Sequence, residues 1–374
     1  MLDLSQHDRG SMPVEPQRPP LSVLDFEERA RRRLDALAWD YYRSGSWGEW
    51  TVQANREAWE RLRLWPRVLV DVSHRHAGQT LLSHELPWPL LLAPTALHRM
   101  AHPDGELATA RAAGQCGTPM ILSSFSSTDV EEVCAASTGP VWMQLYLSPD
   151  RGFSLALAQR AISAGCTAIV LTVDTPVWGT RERDVHNGWR LPQGIEVVNL
   201  LRPDRTGPTG HEGAGIGEAL GWAIDAALTW QDLERLAAVL PVPVLVKGIC
   251  RPDDALRALQ HGAQGIIVSN HGGRQLDGAV PTAESLPLVA EAVQGRVPLI
   301  VDGGIRRGAD ILRALALGAD AVAVGRPILW GLAAGGQSGV AGVLEILRTE
   351  FDLAMALAGC RTLEEITPDL LGRA

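Results

Sequence analysis

Cysteine is scarce in this chain of 374 residues: five, at positions 116, 134, 166, 250 and 360, and never in a CxxC pair. A scattered, odd-numbered set argues against a disulfide framework or a cysteine zinc site, and fits free thiols in a reducing compartment. No run of about 18 apolar residues occurs, so no helical membrane span is expected. No Lys/Arg block of useful length occurs either, and a net charge of −9 argues against a nucleic-acid surface. Arg29 and Arg31–Arg33 read as a solvated helix face. The opening "MLDLSQHDRGSMPVEPQRPP" lacks a basic stretch followed by an apolar one, and the closing "LLGRA" carries no terminal address. A cytoplasmic location is therefore expected. His98 and His102 stand four apart, but Pro103 follows and there is no HExxH, so no metal is expected.

What remains is a chain with 46% hydrophobic residues and 38 glycines, enough for a full-sized core. Residues 1–20 are polar and proline-rich and are expected to form a poorly ordered tail. Residues 21–374 are expected to form one domain. Between Asp25 and about Ser44, the spacing of Leu34, Leu37, Ala38 and Tyr41 suits one helix face. Short apolar runs then recur eight times, at 90–96, 119–124, 141–146, 168–174, 242–248, 265–270, 298–304 and 321–327. Each is apolar on both faces, as a strand between two layers must be, and Ala/Leu-rich stretches of helical period separate most of them. This alternation predicts an α/β fold, a parallel (β/α)8 TIM barrel with an N-terminal helical extension. A doubly wound sheet is the alternative, and the lack of GxGxxG after the first strand counts against it. A glycine-rich loop at 184–229, after the fourth strand, reads as a lid or binding loop. The helical stripe in "SGVAGVLEILRTEFDLAMALAGC" either closes the barrel or meets a neighbour.

Barrel enzymes work at the C-terminal ends of their strands. Here those ends offer Thr95, Ser123, Gln144 with Tyr146, Thr172 with Asp174, Lys247, Ser269 with His271, Asp302 and Arg326. Eight polar ends that include His, Asp, Lys, Arg and Tyr form a converging set. The glycines of "VDGGIRRG" and "VGRP" let backbone N–H groups approach an anion, and loops seven and eight are the usual phosphate site. Arg306 and Arg326 can add charge-assisted bonds. His271 ends a buried strand and is followed by glycines, and a carboxylate such as Asp174 can tune it.

With these residues in place, the chain closely resembles the FMN-dependent 2-hydroxy-acid oxidases and dehydrogenases, the family of the glycolate and lactate oxidases. The resemblance runs from about Leu34 to Gly359 through "YYRSG", "LLAPTA", "AHPDGE", "LSS", "QLY", "LTVDTP", "LVKG", "SNHGGRQLD", "DGGIRRG" and "VGRP", in the family's order. It implies that His271 is the base, with Asp174 orienting its imidazole. Arg274 and Arg181 would clamp a substrate carboxylate, which needs planar bidentate donors. Tyr41 and Tyr146 would hydrogen-bond the carboxylate and the hydroxyl. Lys247 would sit near flavin N1. Pro94, Thr95 and Ala96, with Ser123, Gln144, Thr172 and Ser269, would line the ring and ribityl chain. Asp302, Gly303, Gly304 and Arg306, with Gly325 and Arg326, would hold the ribityl end and phosphate.

Phe125 stands where glycolate oxidases carry tryptophan beside the substrate's alkyl group, which leaves room for lactate or a larger acid. The resemblance thus implies oxidation of an L-2-hydroxy acid to the 2-oxo acid, with O2 reoxidising FMN to give H2O2. Its alternatives are a dehydrogenase with another acceptor, or action on a peptide-derived amine or hydroxy metabolite. A non-redox FMN isomerase has no use for two arginines around His271. Family habit implies a tetramer or octamer.

Overall fold

The eight apolar runs become eight parallel strands in a closed barrel. They are β1 (Leu90–Leu92), β2 (Met120–Leu122), β3 (Val141–Leu145), β4 (Ile169–Thr172), β5 (Val244–Ile249), β6 (Gly265–Val268), β7 (Leu299–Val301) and β8 (Ala321–Val324). The structure, a computed structural model, describes residues 18–200 and 221–372. The expected tail at 1–20 falls almost wholly outside the described residues, and so does the centre of the expected 184–229 loop. Around the barrel the order is β1 to β8 in sequence, closed where Val322 to Val324 pair with Leu90 to Leu92.

Alternation along each strand explains why the runs had to be apolar throughout. Leu91, Ile121, Trp142, Val170, Leu245, Ile267 and Ile300 fill the barrel. Their neighbours, such as Leu92, Leu122, Met143, Leu171, Val246, Ile266 and Val301, face the surrounding helices. Leu81 and Leu86, from a hairpin (Gln79–Leu81 and His84–Leu86), join the interior cluster and plug its N-terminal mouth.

The N-terminal extension differs from the single helical stretch expected. It is broken into α1 (Val23–Arg33) and α2 (Ala36–Arg43), because Leu34 turns extended and the Asp35 side chain caps the second helix at the Ala38 N–H. A third helix, α3 (Trp50–Arg61), follows. Both α2 and α3 reach the strand ends. The C-terminal helix Arg326–Ala358 bends at Gly335–Gly336 and packs on α1 and on the helices Gly105–Gln115 and Gly308–Ala316. Its stripe, from Val340 to Phe351 and Met355, is buried against these elements, so it closes the barrel. No helix among the described residues is long and apolar enough to cross a membrane.

Candidate active site

A cleft of about 950 Å³ opens at the C-terminal ends of the strands. It is lined by Tyr41, Pro94, Thr95, Ala96, Ser123, Phe125, Gln144, Tyr146, Thr172, Arg181, Lys247, His271, Arg274, Asp302, Gly303, Gly304, Arg306, Gly325 and Arg326. Of the residues expected at the site, Asp174 and Ser269 do not border the cleft. Each stands behind it and holds a side chain that does. Five cations line the cleft (Arg181, Lys247, Arg274, Arg306 and Arg326) against one carboxylate, Asp302. In a chain of net charge −9, that concentration marks a site for anionic groups.

His271 sits on a tight turn after β6 with φ +58°, followed by Gly272 at +62° and Gly273 at +75°. Three left-handed residues in a row need glycine at the last two, and the histidine itself bears the strain. The turn is locked from α3. Asn55 and Asn270 exchange amide hydrogen bonds of 2.9 and 2.8 Å, and Asn270 also caps Gly273 N–H. His271 Nδ1 meets Asp174 Oδ1 at 2.8 Å, which leaves Nε2 as the uncommitted nitrogen. Room for Asp174 comes from a bulge in β5, where Gly248 adopts φ +111°; a Cβ there would lie 2.6 Å from Asp174 Cβ. Burial pushes the His271 pKa down, and the Asp174 charge and hydrogen bond offset only part of this, so the imidazole is neutral near pH 7. Burial also pushes Asp174 up, but its interaction with His271, including the hydrogen bond, and the Lys247 charge outweigh it, and the carboxylate stays ionised.

Two guanidinium groups face this imidazole. Arg274 donates through Nη1 to the Tyr41 and Ser44 carbonyls at 2.8 and 2.9 Å, which leaves Nε and Nη2 without partners among the described residues. Arg181 is buried with Nε and Nη1 unpartnered; burial, then the Arg274 charge, pushes its pKa to about 10. Two nearby cations with idle planar donors suit one carboxylate bound between them. The adjacent phenols differ. Tyr42 donates to the Leu97 carbonyl at 2.5 Å, whereas the Tyr41 hydroxyl has no hydrogen-bond partner among the described residues. Tyr41 stacks on Trp189 with ring centres 5.0 Å apart. Burial, then the Asp174 charge, raises the Tyr146 pKa, so its phenol remains a donor.

The far end of the cleft suits a phosphorylated cofactor. Lys247 Nζ bonds Ser269 Oγ at 2.9 Å and pairs with Asp302 Oδ2 at 3.2 Å. Burial lowers its pKa, yet Asp302 and Asp174 more than reverse this and hold the ammonium charged. Ser269 Oγ also accepts the His271 N–H at 3.0 Å, so this serine supports both catalytic candidates. Asp302 Oδ1 and Arg306 Nε are buried without partners, as an acceptor and a donor waiting for a ligand would be. Gly303 and Gly304 hold φ +95° and +89°, and a Cβ on Gly304 would strike the Asn55 carbonyl at 2.4 Å. Arg326 borders the cleft as expected, and three of its five N–H donors also bind backbone. Its guanidinium donates to the carbonyls of Tyr42, Ser44 and Gly272 at 3.1, 2.9 and 2.9 Å, so it ties the end of α2 to the His271 turn. The residues present fit FMN, with Arg306 and the glycine turns as the phosphate end.

Three side chains take places at the site that the sequence alone did not assign them. Trp178 borders the cleft, 4.8 Å from the Arg181 guanidinium carbon, and forms one wall with Phe125, whose ring lies 5.9 Å from it and 5.0 Å from Tyr146. Asp184 is buried 3.8 Å from Arg181 with both carboxylate oxygens unpartnered. His98, behind the first strand end, joins Thr95 Oγ1 at 2.6 Å to Thr109, and its backbone N–H bonds the buried Glu106. Of these, only Trp178 falls in a stretch that also carries an expected site residue, the "TPVWGTRE" that ends in Arg181 and Glu182.

Comparison with known proteins agrees with this geometry. Residues 30–373 match the model of the FMN-dependent dehydrogenase family. The chain is 46% identical over 357 residues to an L-lactate oxidase of Nostoc sp., covering 94% of this chain and 98% of the relative. It is 45% identical over 346 residues to glycolate oxidase 3 of Arabidopsis thaliana, covering 92% and 94%. A structure of mandelate oxidase with (S)-4-hydroxymandelic acid matches with TM-score 0.89 at 42% identity, covering 94% of this chain and 98% of that one.

Proposed function

The chain belongs to the FMN-dependent dehydrogenase family, and from that premise we propose that it oxidises an L-2-hydroxy acid, lactate-like or larger, to the 2-oxo acid, with O2 as electron acceptor and H2O2 as product. The single observation that carries this reading is the neutral His271, backed by Asp174 and set beside two unsatisfied arginines. A base next to a carboxylate clamp is what α-hydroxy-acid chemistry requires, and an isomerase would leave the clamp unused.

Bound FMN supplies the two-electron acceptor, and the protein supplies the rest. Arg181 and Arg274 bind the substrate carboxylate and so fix the orientation of its α-carbon. His271 Nε2 takes a proton, from the α-carbon or from the hydroxyl, and Asp174 stabilises the imidazolium that results. Tyr41 and Tyr146 donate to the carboxylate and to the oxygen that becomes the keto group. Lys247 provides fixed positive charge at the cleft floor. Phe125 and Trp178 bound the space left for the alkyl group; their aromatic wall, tilted at 46° with ring centres 5.9 Å apart, favours lactate-sized or flat larger groups over glycolate.

Residues 21–374 act as one FMN-binding barrel domain in this reading, in the cytoplasm, where five free thiols are at home. Assembly into a tetramer or octamer is supported by exposed Trp47, Trp50, Val177 and Leu276, which lie on adjoining segments around the cleft mouth. The decisive experiment is anaerobic mixing of the yellow holoprotein with a panel of L-2-hydroxy acids. Bleaching of the flavin by one of them identifies class and substrate together; a protein that takes up no FMN overturns the reading. Reoxidation by O2 compared with artificial acceptors separates oxidase from dehydrogenase.

A further inference from the structure

Two of the scattered cysteines meet in space. Cys134, on the helix Val130–Ala136, and Cys166, just past the helix Arg151–Ala164, lie with sulfurs 3.6 Å apart although 32 residues separate them in the chain. The backbones approach closely as well. Gly165, at φ +112°, caps the second helix, and a Cβ placed on it would come 4.0 Å from Cys134 Cβ. Arg160 already clamps the two helices through Asp129 and Glu131, at 2.8 and 2.7 Å. A bond between the sulfurs, about 2 Å long, is therefore within reach of small side-chain rotations.

We propose that Cys134 and Cys166 form a redox site that closes to a disulfide at the expense of hydrogen peroxide. Only the source of that peroxide, the enzyme's own turnover, rests on the oxidase reading above. Cys134 is half-buried and open to a small oxidant, whereas Cys166 is buried. The hydrogen bond between them favours the Cys134 thiolate and keeps Cys166 protonated. The Cys134 sulfur attacks one peroxide oxygen; an S–O bond forms, the O–O bond breaks, and the leaving hydroxide takes a proton to become water. The Cys166 sulfur then attacks the Cys134 sulfur, the S–S bond forms, and the S–O bond breaks to release a second water. Two thiols lose two electrons to one peroxide. The closed bond staples the helix after β2 to the turn before β4, on the side of the barrel that carries Phe125.

Reduced holoenzyme is treated with added H2O2 in one arm and with its bleaching substrate plus O2 in another, with and without catalase. It is then denatured, alkylated and mapped by mass spectrometry. The expected result is loss of two of the five titratable thiols, a linked Cys134–Cys166 peptide, recovery with dithiothreitol, and a higher melting temperature of the oxidised form. The turnover arm shows the link only without catalase. Cys134→Ser and Cys166→Ala each abolish the link and leave steady-state activity unchanged. Five thiols persisting after added peroxide overturn the proposal, as does an equal thiol loss in Cys134→Ser. A turnover arm that makes no peroxide, while added peroxide closes the bond, overturns the oxidase reading and leaves the redox pair standing.

Discussion

At the N-terminal mouth of the barrel, Leu81 and Leu86 pack on interior side chains; the buried Trp142 Nε1 goes unpaired there, but charged and hydroxyl side chains nearby are paired. His84 Nε2 meets Thr167 Oγ1 at 2.9 Å, and Asp320 accepts the Leu299 N–H at 2.7 Å. At the C-terminal mouth the same strands end in charge. Among the described residues, every charged side chain with a buried, unpartnered polar atom is found there: Asp174, Arg181, Asp184, Asp302 and Arg306. Leaving such atoms unpaired costs about 1 to 3 kcal/mol each. A chain whose unpaired buried charges all lie at one mouth concentrates that cost where ligands can relieve it.

Substitutions at the two mouths should therefore fail in different ways. The largest effect belongs to His271→Ala and, separately, Arg274→Met. Both should keep the flavin colour, while anaerobic flavin reduction in stopped flow slows by about 10³-fold. A wild-type rate in either variant removes that residue from its role. Leu86→Ala at the opposite mouth should cost about 2 to 5 kcal/mol of unfolding free energy, read by denaturant titration, with kcat/KM of the folded fraction unchanged.

Arg306→Met should weaken FMN binding by about 10- to 100-fold, through loss of a charge-assisted bond of roughly 1.5 to 3 kcal/mol. Flavin fluorescence titration reads this, and the apoprotein should melt higher than wild type because a buried, unpaired charge is gone. The smallest effect is a displacement in pH. His271 accepts a proton only when neutral, and burial holds its pKa below the ordinary 6.5. The rate is therefore retained at neutral pH and lost as pH falls through that depressed value. The group's contribution to stability has the same sign, present above pH 6.5 and lost on acidification, because the unfolded chain takes up the proton first. Asp174→Asn should move the acid limb of kcat/KM further down, since the charge opposing burial is removed.

Local pattern carried the barrel well. Seven of the eight strands lie within the apolar runs and β5 overruns its run by one residue, Ile249, because a strand buried on both faces shows the same signal whatever its neighbours. The converging polar strand ends were legible for the same reason. Other features depend on contacts no local pattern encodes. The break at Leu34–Asp35 competes with a continuous helical stripe and wins through the Asp35 cap. Arg326 in "VGRP" gives no local sign that part of its guanidinium ties the Tyr42 and Ser44 carbonyls at the end of α2. Trp178 stands three residues before Arg181 and Asp184 three after it, but only the tertiary fold brings Trp178 against Phe125 at the cleft.

The sequence by itself determined where the chemistry sits along the chain. Its only lysine, Lys247, and all three of its tyrosines, Tyr41, Tyr42 and Tyr146, line the cleft, and its apolar periodicity dictates the barrel that gathers them. The tertiary structure alone decided which donors are free to act. Tyr42 and three of the five Arg326 N–H donors bind backbone, while the Tyr41 hydroxyl, Arg274 Nε and Nη2 and Arg306 Nε stay without partners among the described residues, and two thiols 32 residues apart become neighbours. Availability of a polar atom depends on what packs against it, and packing is set by contacts between distant segments.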